Sequence, residues 1–514
     1  MHAELSVEPS NISAQTFPQV CRATQCHNFQ VVYLTNHIYI RTMTQMISKV
    51  DAQQSLLQPE PYRAFASVLP EEGIIRRRPV AGPEPLSYSQ ERIWIHSQLA
   101  GVPLYNESIT IHKTGSLDLQ ALERSLSEIL RRHEAWRTTF NKIDGCAVQI
   151  VNPASAVTLL TSDIREFPAD EREAEALRLA TVETRQPFDL VEGPLLRFNL
   201  IRLNDDVHRL YITAHQVIVD GVSVHHVFFP ELVSLYKAFS TGKRSPLPEL
   251  PIQYSDFVYW HRQWLRGGKL ADQLAYWSQQ LTGNLPSLEL HTDRTRPASQ
   301  TLRGAIQPFV LTRDLSEAAR IASNRGGVTL FITLLTAFYT LLHRYTGQRT
   351  IVVGTVAPAG RKHSEVQQLL GYFQNPVALL IDLSDNPTFY ELQQRARDVT
   401  VGALGNDDVP FELLVENLRL LRDPKRHPAF QVAISLKPSL PILDPEWNVT
   451  TMDVASGGAR WDFYLEFDNR PDGILGRVQY NPDLFDAGTI SQLLEDFRFL
   501  LGDLAANPLR RVAG

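Results

Sequence analysis

The stretch from residue 195 to 239 constrains the fold more than any other part of the sequence. Two strand-like runs, 195–203 and 208–213, flank the turn Asn204-Asp205-Asp206 and predict a hairpin. The second run passes through His215-Gln216-Val217-Ile218-Val219-Asp220-Gly221 into a helical pattern over 222–239. A hairpin that feeds straight into a long helix buries its apolar side when the helix packs on the sheet. The predicted class is therefore α/β (mixed α+β).

Neighbouring segments agree. Residues 89–99 read as a helix and 108–112 as a strand with Ile109 and Ile111 on one face. Over 119–133, Leu122, Leu126, Ile129 and Leu130 form one stripe behind the cap Leu117-Asp118. A second block begins near Asp293, with strands at 306–311, 350–356, 430–436 and 461–467 and helices at 315–324, 330–345, 389–404, 411–421 and 489–504. At 514 residues the chain exceeds one ordinary core. The predicted division is a poorly structured or docking leader at 1–80, an N-terminal lobe at 81–285, a C-terminal lobe at 286–508 and a tail at 509–514. Ile74-Ile75-Arg76-Arg77-Arg78-Pro79, ahead of Gly82-Pro83-Glu84-Pro85, reads as a linker. Met43 and Met46 are candidates for the start of translation, between which and Met1 the sequence does not choose.

Composition narrows the function. A formal charge of −6 gives no basic stripe, so no nucleic-acid partner is expected. Cys21, Cys26 and Cys146 are too few and scattered for a disulfide framework or a tetrahedral zinc site, so no metal is expected and the thiols suit a reducing compartment. The apolar run 328–342 falls short of the roughly 20 residues that span a bilayer. It carries Thr329, Thr333, Thr336 and Thr340, and predicts a buried helix. With no signal-like pattern around Glu4, the expected location is cytoplasmic, without a membrane partner.

His215, Asp220 and Gly221 fall where a strand gives way to a helix, a place where backbone N–H groups stabilise developing negative charge. Gly221 permits close approach of a substrate, and Asp220 either caps the helix, pairs with an arginine or acts as an acid. Gly221-Val222-Ser223-Val224-His225 ends in His where a nucleophile elbow has Gly. Residues 354–362 lack the spacing of a phosphate loop. His225 and His226 predict one packed and one exposed imidazole rather than a metal pair.

Several ordered segments carry a family resemblance. They are Ser87-Tyr88-Ser89-Gln90-Glu91-Arg92-Ile93-Trp94, Arg132-His133-Glu134-Ala135-Trp136-Arg137-Thr138-Thr139-Phe140, and Phe188-Asp189-Leu190 with Gly193-Pro194-Leu195-Leu196-Arg197. Downstream come Tyr254-Ser255-Asp256-Phe257-Val258-Tyr259-Trp260, Gly371-Tyr372-Phe373-Gln374-Asn375-Pro376, Val409-Pro410-Phe411-Glu412, residues 422–428 and Tyr480-Asn481-Pro482-Asp483-Leu484-Phe485. In order and spacing these resemble the motifs of condensation domains of nonribosomal peptide synthetases. The resemblance implies two chloramphenicol-acetyltransferase-like lobes forming a V around a tunnel. It implies donor and acceptor carrier proteins as partners, with other synthetase modules. Phosphopantetheine is delivered on those carriers, and no cofactor is bound directly. The implied reaction is attack of an acceptor amine on a donor thioester to form an amide.

The family's active-site element is HHxxxDG. His215, Asp220 and Gly221 match it, and Gln216 stands where the second histidine is expected. A carboxamide cannot take up a proton near neutral pH. Loss of a general base typically costs about 10²–10⁴-fold in rate. An α-amino group with pKa of about 7.7–8.0 is neutral to roughly a tenth at pH 7, so it needs positioning more than deprotonation. Gln216 is expected to accept its N–H, and amide rather than ester formation is expected. By position, His215 orients the loop, with swinging in as a base the lesser alternative, the Gly221 N–H donates to the thioester oxygen, and Asp220 pairs with Arg361. Tyr88, Arg137 and Asn375 are expected near the lobe interface, lining the tunnel or supporting it. The alternative is a non-catalytic domain that binds carrier proteins for recruitment or gating. Epimerisation is weakened by the altered motif, and heterocyclisation is disfavoured because its DxxxxD signature is absent.

Overall fold

The hairpin forms from Leu196–Asn204 and Val207–His215, with Phe198 opposite Ile212 and Leu200 opposite Leu210. The computed structural model describes residues 74–513 apart from 80–81, 282–284, 421–422, 438–442 and 471–472. Cys21, Cys26, Met43, Met46 and the leader up to residue 73 lie outside the described residues.

Around the hairpin a five-stranded sheet runs in the order Trp447–Thr450, Asn106–Thr114, Val207–His215, Leu196–Asn204, Leu160–Asp163. Ile109, Ile111 and Ile212 share one core with Leu122, Leu126 and Ile129 of the helix Leu119–Arg132 and with Leu232 and Leu235 of Phe229–Ser240. Each such fully buried side chain contributes about 1.5–3 kcal/mol. Asp118 caps Leu119–Arg132 by accepting from Ala121 N at 3.0 Å. The helix expected over 222–239 forms with a π-helical turn at Ser223–Phe228 ahead of the α-helical part. Such turns concentrate at functional sites.

The second core sits on a six-stranded mixed sheet ordered Asn375–Asp382, Thr350–Ala357, Val432–Lys437, Phe463–Arg470, Gly473–Tyr480, Ala305–Leu311. Helix Leu330–Thr346, capped by Thr329 and stopped by Gly347 at φ 67°, is buried at every position from Ile332 to Leu342. Its threonines fit because their hydroxyls bond locally: Thr336 to Ile332 O at 2.6 Å and Thr340 to Thr336 O at 3.0 Å. No single helix among the described residues is long and apolar enough to cross a membrane.

The chain crosses the expected division at 285/286 in both directions. Trp447–Thr450 pairs antiparallel with Asn106–Thr114 in the first sheet, with Val449 opposite Ile111. Leu370 and Tyr372 lie in the first core, while Val366, Leu369 and Phe373 pack with Tyr254 and Phe257. In return, helix Leu270–Gln280 places Trp277 in the second core, where its indole donates to Asn406 O at 2.7 Å.

Two local expectations change. Residues 74–79 are docked rather than a free linker: Ile75 is buried, and Arg77 donates to Leu250 O and Pro251 O at 3.0 and 2.8 Å. The helix expected over 411–421 ends at Asn417, because Arg419 turns left-handed at φ 49° and Leu420 N returns to Val415 O at 3.2 Å.

Candidate active site

Strand Val207–His215 ends at the first residue of the motif, and Gln216–Ile218 makes one 3-10 turn. Val217, Ile218 and Val219 are buried and anchor the turn from beneath. The polar residues at its two ends are thereby held between the two cores.

At the far end, Asp220 is locked. Its Oδ1 accepts from Ser223 N at 2.7 Å and lies 3.4 Å from Arg361 Nη2, and its Oδ2 accepts from Phe373 N at 2.9 Å. Arg361 also donates to Ser223 Oγ at 2.5 Å and to Leu369 O at 3.0 Å, and its guanidinium lies 4.3 Å over the Phe373 ring. The two charged side chains are 0% and 4% exposed, a condition tolerated when a counter-charge and hydrogen bonds complete each group. Ser223 Oγ in turn donates to Gly371 O at 2.8 Å, and the Tyr254 hydroxyl to Tyr372 O at 2.6 Å. Gly371 makes this possible, since a Cβ there would stand 2.1 Å from the Tyr254 ring. Of the three roles open to Asp220, the geometry matches capping and pairing, with both oxygens already committed.

His215 is fixed in the same way. Its Nδ1 accepts from Val217 N at 3.3 Å, so the ring proton sits on Nε2, 3.3 Å from Ser97 Oγ. Burial pushes its pKa down to about 3, which keeps the imidazole neutral.

Gln216 behaves differently. Its Oε1, expected to meet an incoming amine, accepts instead from Arg460 Nη1 at 3.2 Å. Arg460 reaches it from the loop before strand Phe463–Arg470 and lies 4.6 Å over Trp461 and 5.9 Å over Tyr105. Close by, Arg92 pairs with Glu412 at 3.0 Å and donates to the Tyr372 hydroxyl at 3.2 Å. Burial raises the Glu412 pKa to about 7 against the pull of Arg92. Burial, assisted by Arg92 and Arg460, lowers His96 to about 4 and His427 to about 3. Near pH 7 the groups around Arg92 and Arg460 are therefore guanidinium cations and neutral imidazoles. In front of Gly221 there is open space: a Cβ placed there meets nothing within 4 Å.

The remaining expected residues divide. Tyr88 and Asn375 line one pocket between the lobes, together with Ser87, His261, Tyr372 and Asp408. The Asn375 carboxamide is committed at both ends, donating to Asp407 O and Val409 O at 2.8 and 2.6 Å and accepting from Phe411 N at 3.2 Å. Its place is supporting the loop ahead of Glu412. Arg137 is turned elsewhere, donating to Asn152 O and standing 3.9 Å from Glu134. His225 is buried and His226 exposed, as expected. Ser97 and Arg460 are site residues that the sequence reading does not single out, and Ser223, met there only in the near match to a nucleophile elbow, instead joins the Asp220–Arg361 lock. Arg92 and Glu412 lie inside motifs, whereas Arg460 in Gly457-Gly458-Ala459-Arg460-Trp461 has no motif to mark it.

Comparison with known proteins gives a coherent picture. The family model described as Condensation domain matches residues 80–514. A linear gramicidin synthase from Brevibacillus parabrevis is 39% identical over 465 residues, covering 87% of this chain and 6% of that protein. Phosphinothricin tripeptide synthetase PhsC of Streptomyces viridochromogenes is 36% identical over 468 residues, covering 90% of this chain and 43% of that protein. The chain thus spans a small part of the relatives it matches. Among solved structures, the X-domain from teicoplanin biosynthesis superposes with a TM-score of 0.74 at 26% identity, over 86% of this chain and 99% of that one. The first condensation domain of the calcium-dependent antibiotic synthetase, in complex with a substrate analogue, shares the fold at a TM-score of 0.74 and 20% identity, over 84% of this chain and 99% of that one.

Proposed function

Because the chain belongs to the condensation-domain family, whose function is peptide-bond formation, we propose that it joins an acyl or aminoacyl thioester on a donor carrier protein to an amine on an acceptor carrier. Both substrates ride on phosphopantetheine arms that enter between the lobes. The amine nitrogen attacks the thioester carbonyl, the C–N bond forms, the C–S bond breaks, and the nitrogen's proton leaves to the departing thiolate or to water.

One observation carries this reading. The Asp220–Arg361–Ser223 lock holds the turn rigidly while the space in front of Gly221 stays open. Such fixed placement of a reacting centre is what acyl transfer to an already partly neutral amine requires. His215, held neutral and hydrogen-bonded on both nitrogens, serves as a positioning residue for Gln216.

The test supplies a thioester-loaded donor carrier and an amine-loaded acceptor carrier and follows amide product by mass spectrometry. Wild-type protein is expected to form product, and an amine acceptor is expected to outpace a hydroxyl acceptor. Faster ester than amide formation would contradict the reading.

A second reading has its own support. Gln216 removes the titratable group from the motif, and the 26%-identical X-domain is also known in complex with OxyB. On that reading the chain recruits or gates, binding carriers without turnover. Carrier binding with no amide, restored by Gln216→His, would favour it.

A further inference from the structure

We propose that Arg460, together with the Gln216 carboxamide, binds the oxyanion formed on the donor carbonyl during condensation. The idea rests on the condensation activity proposed above and assigns a role to a residue that no motif marks.

Arginine only donates hydrogen bonds, so its contact with position 216 fixes which end of the carboxamide it meets. Oε1 is turned to Arg460 Nη1 at 3.2 Å, which leaves the Nε2 donors as the end not engaged by Arg460. Position 216 therefore offers N–H groups toward a substrate instead of the lone pair of a base. Arg460 has further N–H groups of its own, and among the described residues Gln216 is the one acceptor it meets. No carboxylate among the described residues lies within ion-pair distance of it. Glu107 and Glu466 lie within its electrostatic reach, the latter paired with Arg477, and Arg92 is held by Glu412 at 3.0 Å. Arg460 is only partly buried, and its stacking on Trp461 and Tyr105 sets the plane of the guanidinium.

A cation that is stacked in place, makes no ion pair among the described residues and touches Gln216 suits an anion that exists only in passing. When the amine lone pair attacks the thioester carbon, the carbonyl π pair moves onto oxygen. Arg460 and Gln216 Nε2 then donate to that oxygen; the pair on oxygen re-forms the C=O bond as the C–S bond breaks, and the proton of the attacking nitrogen passes to the departing thiolate or to water. No protein base takes part. Preorganised donors of this type act on the transition state more than on bound substrate.

The experiment measures turnover on loaded carriers for wild type, Arg460→Gln and Arg460→Lys, with thermal unfolding of each. Arg460→Gln is expected to lower kcat by about 10²–10³-fold, as loss of one oxyanion donor does elsewhere, with KM for the acceptor and the melting midpoint nearly unchanged. Arg460→Lys is expected to recover part of the loss, because charge is kept and the fork is lost. Wild-type kcat retained in Arg460→Gln overturns the proposal, and so does a loss expressed in KM alone, which would mark a contact to the bound substrate in its ground state. If wild type itself makes no amide, the condensation reading falls and this proposal with it. If wild type and Arg460→Gln turn over alike, the proposal alone falls.

Discussion

The two ends of one seven-residue turn have opposite characters. Asp220 is sealed, with its carboxylate at 0% exposure and its partner Arg361 at 4%, and both oxygens are committed to the chain. Gln216, four residues earlier, has one side-chain contact across the lobes, to an arginine that is itself partly open. Both residues are buried, Gln216 at 5% exposure and Asp220 at 3%, so the contrast lies in engagement: a closed clamp at one end and, among the described residues, a carboxamide held at its oxygen alone at the other. Substitution at the clamp end should appear as lost stability, and at the Gln216 end as lost turnover.

The largest stability effect belongs to the clamp. Arg361→Ala leaves Asp220 buried without its cation, and should destabilise the protein by about 3–5 kcal/mol in urea unfolding. A loss under about 1 kcal/mol would show that the pair does not hold the turn. Asn375→Ala, which strips the carboxamide from the loop ahead of Glu412, should cost about 1–3 kcal/mol with the same readout.

Acid offers a subtler comparison. His215, His225 and His427 have folded pKa values pushed down to about 3 by burial, and His96, His112 and His261 to about 4. Below about 6.5 the unfolded chain binds protons on these rings while the folded chain does not, so their contribution to stability is lost as pH falls. Glu84 and Glu412, raised to about 7, and Asp407, raised to about 6, act in the opposite sense, because the folded form protonates first. The imidazoles outnumber the raised carboxyls, so the unfolding midpoint should drop between pH 7 and pH 5. His215→Gln should flatten that slope by up to one proton, and an unchanged slope would mean that His215 takes up its proton while folded. The smallest effect is Ser97→Ala, which removes one hydrogen bond to His215 and should cost about 0.5–1.5 kcal/mol.

Legibility in the sequence followed how local each feature is. Helix Leu119–Arg132 declared itself through its stripe and its Asp118 cap, both short-range signals. The Asp220–Arg361 pair was expected through motif order and is present in the geometry. Strand Trp447–Thr450 is four residues without a period, and its partner lies in the opposite half of the chain. Residues 270–280 fall inside the expected lobe 81–285, yet Trp277 of the helix they form packs into the second core. Arg460 was invisible for the same reason: its meaning comes entirely from a contact with a residue 244 positions away. Arg137 shows the converse, a motif position whose side chain serves its own hairpin region.

The division within the turn is tested most directly at Gly221, where the fold leaves room for a side chain and a substrate would need that room. Gly221→Leu should be measured for unfolding free energy and for amide formation on loaded carriers in the same preparation. The account predicts stability within about 1 kcal/mol of wild type, in line with helix propensity alone, and amide formation abolished. A folded Gly221→Leu protein that forms amide at the wild-type rate would contradict it.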